Sequence, residues 1–417
     1  MPGSSRNFLV LAVAVLLLLA LLYRQPAHAY LALYFAFLLI TCWRLSRRGL
    51  KGLTARRVVR DGAFEDDEVD VKIQVDNLSD RDVAFLEVAD RFGPALAPIH
   101  VLPNCGPLPS GARRVVGYRS QCSKLWGLHS LGPLRLATHD PAGLFRRATV
   151  LPDQAEFTVF PKVHHVEGLL RLGGLPSLTV QEVSAGRSGQ SHLYLGVREH
   201  VAGDDPRRIH WPASARTGKL MQREHEVDLV PYLTLFLDLE SRHRAGTGRK
   251  STLEYVVRAG SSILATASRE GQHVQVIADT PERLVVPPGR GEDHLAWGLD
   301  RIIRLVQDGR RPFLSFVGEQ LSSVPPGSTA VLLCASHRFV RAELELLADR
   351  LGERGVRPAL VLVDQDSFMA IHGRDDWHGE ELTGEEARAV LERRGGTATL
   401  LTAEDDLELR LREGLFP

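Results

Sequence analysis

The chain holds little sulfur: four cysteines and three methionines in 417 residues. Cys42, Cys105, Cys122 and Cys334 form no CxxC pair and match no Cys/His ligand spacing. That excludes a structural zinc site of the usual kinds. Cys105 and Cys122 can pair if their region is exported, and stay reduced in the cytosol. Excess charge of one sign is also missing, since basic and acidic residues balance at 51 each. A general nucleic-acid binder would carry a basic surplus, so no nucleic-acid partner is expected. Hydrolase signatures are absent too: the chain has no GxSxG elbow and no HExxH pair. His192, His200, His210 and His225 cluster in sequence, but their spacing fits no common ligand set. The basic loop Gly246–Thr252 lies between a strand and a helix, where a phosphate-cradling loop would stand. Arg249 precedes Lys250 and Arg244 stands where the first glycine of a P-loop belongs, so the loop reads as solvated.

What the chain does have begins with two apolar runs, Phe8–Tyr23 and Ala29–Trp43, split by a short polar break. Each is slightly under the roughly 20 residues that span a bilayer comfortably, a shortfall that flanking arginines and local thinning absorb. The Ala27-His-Ala29 triplet also fits a signal-peptide cleavage pattern. The immediate second run opposes that reading. Arg44, Arg47, Arg48, Lys51, Arg56, Arg57 and Arg60 crowd the exit of the second run, while the break carries only Arg24 and His28. Positive-inside weighting then places both ends in the cytoplasm. Residues 1–48 are expected to form a two-helix hairpin in the cell (inner) membrane, with the soluble domains cytoplasmic.

Residues 53–162 show short alternating runs, at Val69–Val75, Val83–Val88, Arg113–Tyr118, Leu131–Thr138 and Phe157–Phe160. Gly-Pro and Asp-Pro pairs punctuate them. This spacing predicts a small antiparallel β-sandwich-like module that serves as a scaffold or spacer. Asp140–Phe145 reads as a tight turn whose Leu144 and Phe145 plug a core. Residues 163–197 are Gly- and Ser-rich and read as linker. Arg198–Glu226 follows, dense in charge and without a solvent-facing period. Charges of both signs in such a stretch point to pairing in one set shape. We read it as a connector clamped onto the next domain, with Asp204 or Asp205 paired to Arg207 or Arg216 and Trp211 buried. Burial would make Trp211→Ala cost about 3 kcal/mol. A second reading gives Trp211 and Arg216 to a protein interface as anchors.

From residue 228 the pattern alternates strand and helix. Strands are expected at Val230–Leu239, Val274–Ala278, Leu284–Val286, Ala330–Cys334, Ala359–Val363 and Thr397–Leu401. Helices are expected at Ser251–Arg269, Asp293–Val306, Val340–Leu351, Gly384–Arg393 and Asp405–Glu413. Strands apolar throughout imply a mostly parallel sheet with helices on both faces. Ligands of such sheets bind at the carboxyl ends of strands, and the first strand ends at Asp238-Leu-Glu240-Ser-Arg242.

The charged stretch resembles the signature of the family of unknown function DUF58. The matching residues are Arg198-Glu199, Gly203-Asp204-Asp205, Arg207, Ile209, Trp211, Ala213, Ala215-Arg216 and Gly218-Lys219-Leu220. Asp140–Phe145 is similar to that family's Asp-Pro-x-Gly-Leu-Phe motif, Val159–Lys162 to its Tyr-Pro motif, and Pro287–Gly291 to its Pro-rich turn. His200, His210 and Pro212 depart from the family pattern, which usually has an aromatic, Asp and Lys. The resemblance implies a von Willebrand factor A-like domain in residues 228–417. It also implies protein partners: a MoxR-type AAA+ ATPase and a transglutaminase-like membrane protein, in assembly or maturation of other proteins. Many von Willebrand A domains hold Mg²⁺ through Asp-x-Ser-x-Ser at this strand end. Here Asp238, Glu240 and Arg242 occupy those positions, and Arg242 brings a positive charge and no acceptor. We therefore expect a degenerate site, no metal and no other cofactor, with Asp238 paired to Arg242 or capping a loop. The interaction or structural motif comprises Arg198, Gly203, Asp204, Asp205, Arg207, Trp211, Arg216 and Lys219. The expected function is a non-enzymatic, membrane-anchored interaction scaffold. The rivals are a metal-dependent enzyme and an adhesion-type von Willebrand A protein.

Overall fold

The computed structural model describes residues 2–46, 50–103, 105–169, 194–201, 209–225, 232–280, 284–336, 339–369, 381–382 and 384–415. The chain forms two compact units, Met1–Lys162 and Val163–Pro417.

In the first unit, helices α1 (Pro2–Tyr23) and α2 (Pro26–Ser46) pack as a hairpin. Over Ser5–Tyr23 and Pro26–Ser46 they are long and apolar enough to cross a membrane. Ten strands follow: β1 (Leu53–Val58), β2 (Gly62–Phe64), β3 (Glu68–Asn77), β4 (Glu87–Arg91), β5 (Ile99–Leu102), β6 (Arg113–Gln121), β7 (Gly127–Leu131), β8 (Leu134–His139), β9 (Arg146–Leu151) and β10 (Ala155–Phe160). They form three small sheets, ordered β1-β3-β6, β2-β10-β7 and β5-β4-β8-β9. Only β2 and β10 pair in parallel. Alternation decides what each strand buries: Val69, Val71, Ile73 and Val75 of β3 all point inward. The expected run Leu131–Thr138 is two strands, because Gly132-Pro133 interrupts it. Pro133 has no N–H for a ladder. Arg57, counted above with the basic flank, points into this unit. It forks onto buried Asp90 at 3.0 and 2.5 Å, and Tyr118 donates to the same carboxylate at 2.7 Å. Burial lowers the Arg57 pKa less than Asp90 raises it, so the guanidinium stays charged.

The second unit starts with β11 (Tyr194–Glu199), helix α3 (Trp211–Thr217) and β12 (Met221–His225). Next come β13 (Tyr232–Leu237), the two-residue strands β14 (Gly246–Thr247) and β15 (Lys250–Ser251), and α4 (Thr252–Arg269). The chain continues through β16 (His273–Ala278), β17 (Leu284–Gly289), α5 (Glu292–Ile302), α6 (Phe313–Gln320), β18 (Thr329–Cys334), β19 (Phe339–Val340) and α7 (Arg341–Glu353). It ends with β20 (Arg357–Val363), α8 (Gln365–Met369), β21 (Glu381–Leu382), α9 (Gly384–Glu392), β22 (Thr397–Leu401) and α10 (Leu407–Glu413).

A six-stranded sheet in the order β17-β16-β13-β18-β20-β22 forms its core. All neighbours are parallel except β17, which runs antiparallel at one edge. Helix α4 is buried over most of its length. Its Gly260 lets it approach the sheet: a Cβ there would stand 2.8 Å from Leu237. Two expectations are corrected here. Pro287 and Pro288 extend edge strand β17 and are not a turn. Helix α5 ends at Ile302, so Val306 lies beyond it and is 59% exposed. Helix α6 was not foreseen.

Candidate functional site

The parallel order reverses direction around β13, whose successor strands lie on opposite sides of it. Its carboxyl end is therefore the switch point at which open sheets of this kind bind ligands. Asp238 follows the strand and continues its ladder, donating its N–H to Leu333 at 2.9 Å. A 3₁₀ turn at Ser241–His243 then folds the chain back. The His243 Nδ1 returns to within 2.7 Å of the Asp238 carboxylate. Thr252, the first residue of α4, fixes the return by donating to the His243 carbonyl at 2.8 Å.

Every carboxylate oxygen here already accepts a hydrogen bond. Asp238 Oδ1 accepts from the Glu240 N–H at 2.9 Å. Asp238 Oδ2 accepts from the Ala335 N–H at 2.9 Å as well as facing His243. Glu240 Oε1 accepts from Arg242 Nε at 2.5 Å, and Oε2 from the Phe313 N–H at 3.1 Å. His243 Nε2 lies 3.5 Å from Glu240 Oε2. Asp238 and Glu240 are buried, while the Arg242 side chain reaches outward. Burial pulls the His243 pKa down, but Asp238 and then Glu240 outweigh it, and the net shift is upward.

Asp238, Glu240 and His243 do bring three ligand-type atoms within 4.8 Å of one another. Proximity does not make them a fit for a hard divalent ion, which needs free oxygen lone pairs in near-octahedral array. Here each carboxylate oxygen is already engaged by a backbone N–H group or by the Arg242 guanidinium, the His243 ring stands against Asp238, and Arg242 adds a positive charge beside the set. Asp238 thus pairs with His243 and caps the loops at Glu240 and Ala335. It does not pair with Arg242, as one expectation had it; Arg242 binds Glu240. Sequence reasoning passed over His243. Its signal was a histidine five residues after the strand-end aspartate, close enough to return through a single turn.

The expected interaction motif lies on a separate arm. Strands β11 and β12 pair with each other as a two-stranded sheet, and Ile209 adds a single bridge to Gln222 of β12. Between them, the His210 side chain caps α3 by accepting from the Ala213 N–H at 3.1 Å. Gly218 ends the helix at φ 70°, a left-handed conformation glycine adopts without steric cost, and donates to Ser214 at 3.0 Å. Ser214 Oγ staples helix to strand, donating to the His210 carbonyl at 3.1 Å and accepting the Met221 N–H at 2.8 Å. Lys219 pairs with Glu199 at 3.0 Å across the exposed face. Arg216 is exposed, and the backbone of Arg198 faces Gln222 in the ladder.

Helix α3 buries none of its residues. Trp211 is 66% exposed, with Leu220 at 48% and Val201 at 61%. The expectation of a buried Trp211 is therefore corrected. Among the described residues no other helix or strand covers this seven-residue helix, and its apolar side is exposed. Gly203, Asp204, Asp205 and Arg207 lie outside the described residues, and with them the expected carboxylate–arginine pairs of this stretch.

A family model described as protein of unknown function DUF58 matches residues 196–386. Those residues are a DUF58 region. It begins within β11 and so takes in both the exposed arm and the capped tip of β13. No curated protein matches the chain. Among solved structures, the CARDB domain of PF1109 from Pyrococcus furiosus is 12% identical, covering 26% of this chain and 94% of that one at a TM-score of 0.19. Proximal thread matrix protein 1 of the mussel byssus is 10% identical, covering 44% of this chain and 46% of that one at a TM-score of 0.30. Likenesses this low carry no argument for the DUF58 region.

Proposed function

We propose that the chain is a membrane-anchored, non-enzymatic scaffold that engages protein partners through the β11–α3–β12 arm of its DUF58 region. The observation that carries this reading is Trp211: an exposed indole on the same arm as exposed Leu220 and Val201, on a helix with no buried residue. Trp and Arg are the side chains most enriched where interfaces concentrate their energy. A two-stranded ribbon is marginal by itself, so the arm gains order from what it binds. The partners we propose are a MoxR-type AAA+ ATPase and a transglutaminase-like membrane protein, in assembly or maturation of other proteins.

The second unit supports a von Willebrand A-like reading through its strand order, with two strands on one side of the first and three on the other. The tip of β13 supports a structural role over a catalytic one, because its acidic oxygens are already engaged. The two apolar helices support a hairpin in the inner membrane with the rest of the chain cytoplasmic. Crosslinking and co-purification from native membranes test the reading. The wild-type chain is expected to retain an AAA+ partner that Trp211→Ala loses at unchanged melting temperature. Equal retention by both proteins would remove the arm from the proposal.

A further inference from the structure

The unabsorbed motif is the turn Asp140–Phe145. Its aspartate is buried and spends both oxygens on the turn's own backbone, accepting from Phe145 at 2.6 Å and Ala142 at 3.0 Å. Leu144 enters the core of the first unit, while Pro141, Ala142 and Gly143 are exposed. Phe145 is held half-buried, and the Arg6 guanidinium lies over its ring at 6.0 Å. Cys42 of α2 lies beside Asp140 and Ala142. The turn therefore meets one end of the helical hairpin. In an antiparallel hairpin Arg6 stands as far before the connection as Trp43 stands after it, so Arg6, Trp43 and Arg44 share that end.

Several arginines elsewhere in this unit have carboxylate partners: Arg57 with Asp90, Arg60 with Asp67, Arg113 with Asp76, Arg119 with Asp70 and Arg146 with Glu87. Arg6, Arg44 and Arg147 pair with no carboxylate among the described residues, and all three are exposed. Arg147 follows the turn directly, within two residues of Phe145. Arg6 thus lies over the aromatic ledge, Arg147 follows it by two residues in the chain, and Arg44 stands at the same polar end of the two apolar helices. Guanidinium forks match phosphate oxygens, and indole rings favour the headgroup level.

We propose that Arg6, Arg44 and Arg147, with the Phe145 ledge, bind the phosphate of an anionic phospholipid headgroup. The proposal rests on the membrane reading above. It goes beyond it by giving the turn a ligand. A soluble phosphate ester offers the same oxygens, and the experiment separates the two sources.

The full chain is reconstituted in nanodiscs of phosphatidylcholine containing a minor share of phosphatidylglycerol, and lipids retained after release are counted by native mass spectrometry. Wild type is expected to retain phosphatidylglycerol in preference. Arg6→Gln combined with Arg147→Gln lowers that preference by about fivefold per guanidinium. Arg119→Gln, an exposed change on β6, leaves it unmoved. Millimolar glycerol 3-phosphate is expected to displace none of the lipid; full displacement would assign the site to a free phosphate ester and overturn the lipid. A chain that enters the disc but retains both lipids equally overturns this proposal alone. A chain that stays outside the disc overturns the membrane reading and this proposal together.

Discussion

Asp238 and Trp211 belong to the same DUF58 region and are treated in opposite ways. Asp238 is fully buried, and its two oxygens take two backbone N–H groups and an imidazole. Trp211 lies open beside a two-stranded ribbon. The tip of β13 closes on itself and pins three segments of chain: the turn at Glu240, the Ala335 loop and the start of α6. The arm leaves its largest apolar surface uncovered. A buried polar cluster with every oxygen engaged gives rigidity, whereas an uncovered apolar surface is a place for something else to land. The acidic tip of β13 is part of the frame, and the exposed apolar surface lies on the arm.

The largest test of that contrast is Asp238→Ala. It strands a buried imidazole and two N–H groups, so unfolding free energy is expected to fall by about 3–5 kcal/mol in urea titrations. A loss under about 1 kcal/mol would show that the tip is not holding the sheet together.

His210→Ala sharpens the other side. Losing the cap is expected to cost about 1 kcal/mol locally. The readout is faster amide exchange across α3, with the six-stranded sheet unaffected.

The imidazole gives a pH signature. The folded pKa of His243 is raised, so its contribution is complete below the unfolded value of about 6.5 and is lost as pH rises through the folded value. Melting temperature is expected to decline over that alkaline-side window in wild type, and to do so less in His243→Gln. Matching profiles for the two proteins would remove the imidazolium from the account.

Trp211→Ala is expected to change stability by no more than about 0.5 kcal/mol, as exposed positions do. Mg²⁺ or Mn²⁺ is expected to leave the melting temperature where it was. Clear stabilisation that vanishes in Asp238→Ala would mean the tip exchanges its internal cations for a metal.

The alternation of strands and helices after residue 228 was legible because buried parallel strands are apolar throughout, and so were both N-terminal helices. What escaped has specific causes. Helix α6 is only eight residues long, about two turns, so the outward set Ser315, Gly318 and Glu319 is too short a period to stand out in the sequence. His243 joined the tip through a tight turn, and sequence spacing does not report where a side chain points after a reversal. Trp211 was expected inside because large aromatics usually are. Its exposure depends on which elements lie over a seven-residue helix, and no local pattern encodes that. Arg57 looked like one more juxtamembrane charge until Asp90, far along the chain, gave it a buried partner.

Edge strand β17 has a consequence for crowding. Where copies are concentrated, an unguarded sheet margin would invite one copy to zip onto the next. Pro287 and Pro288 offer such a newcomer no amide hydrogens, so that margin resists polymerisation.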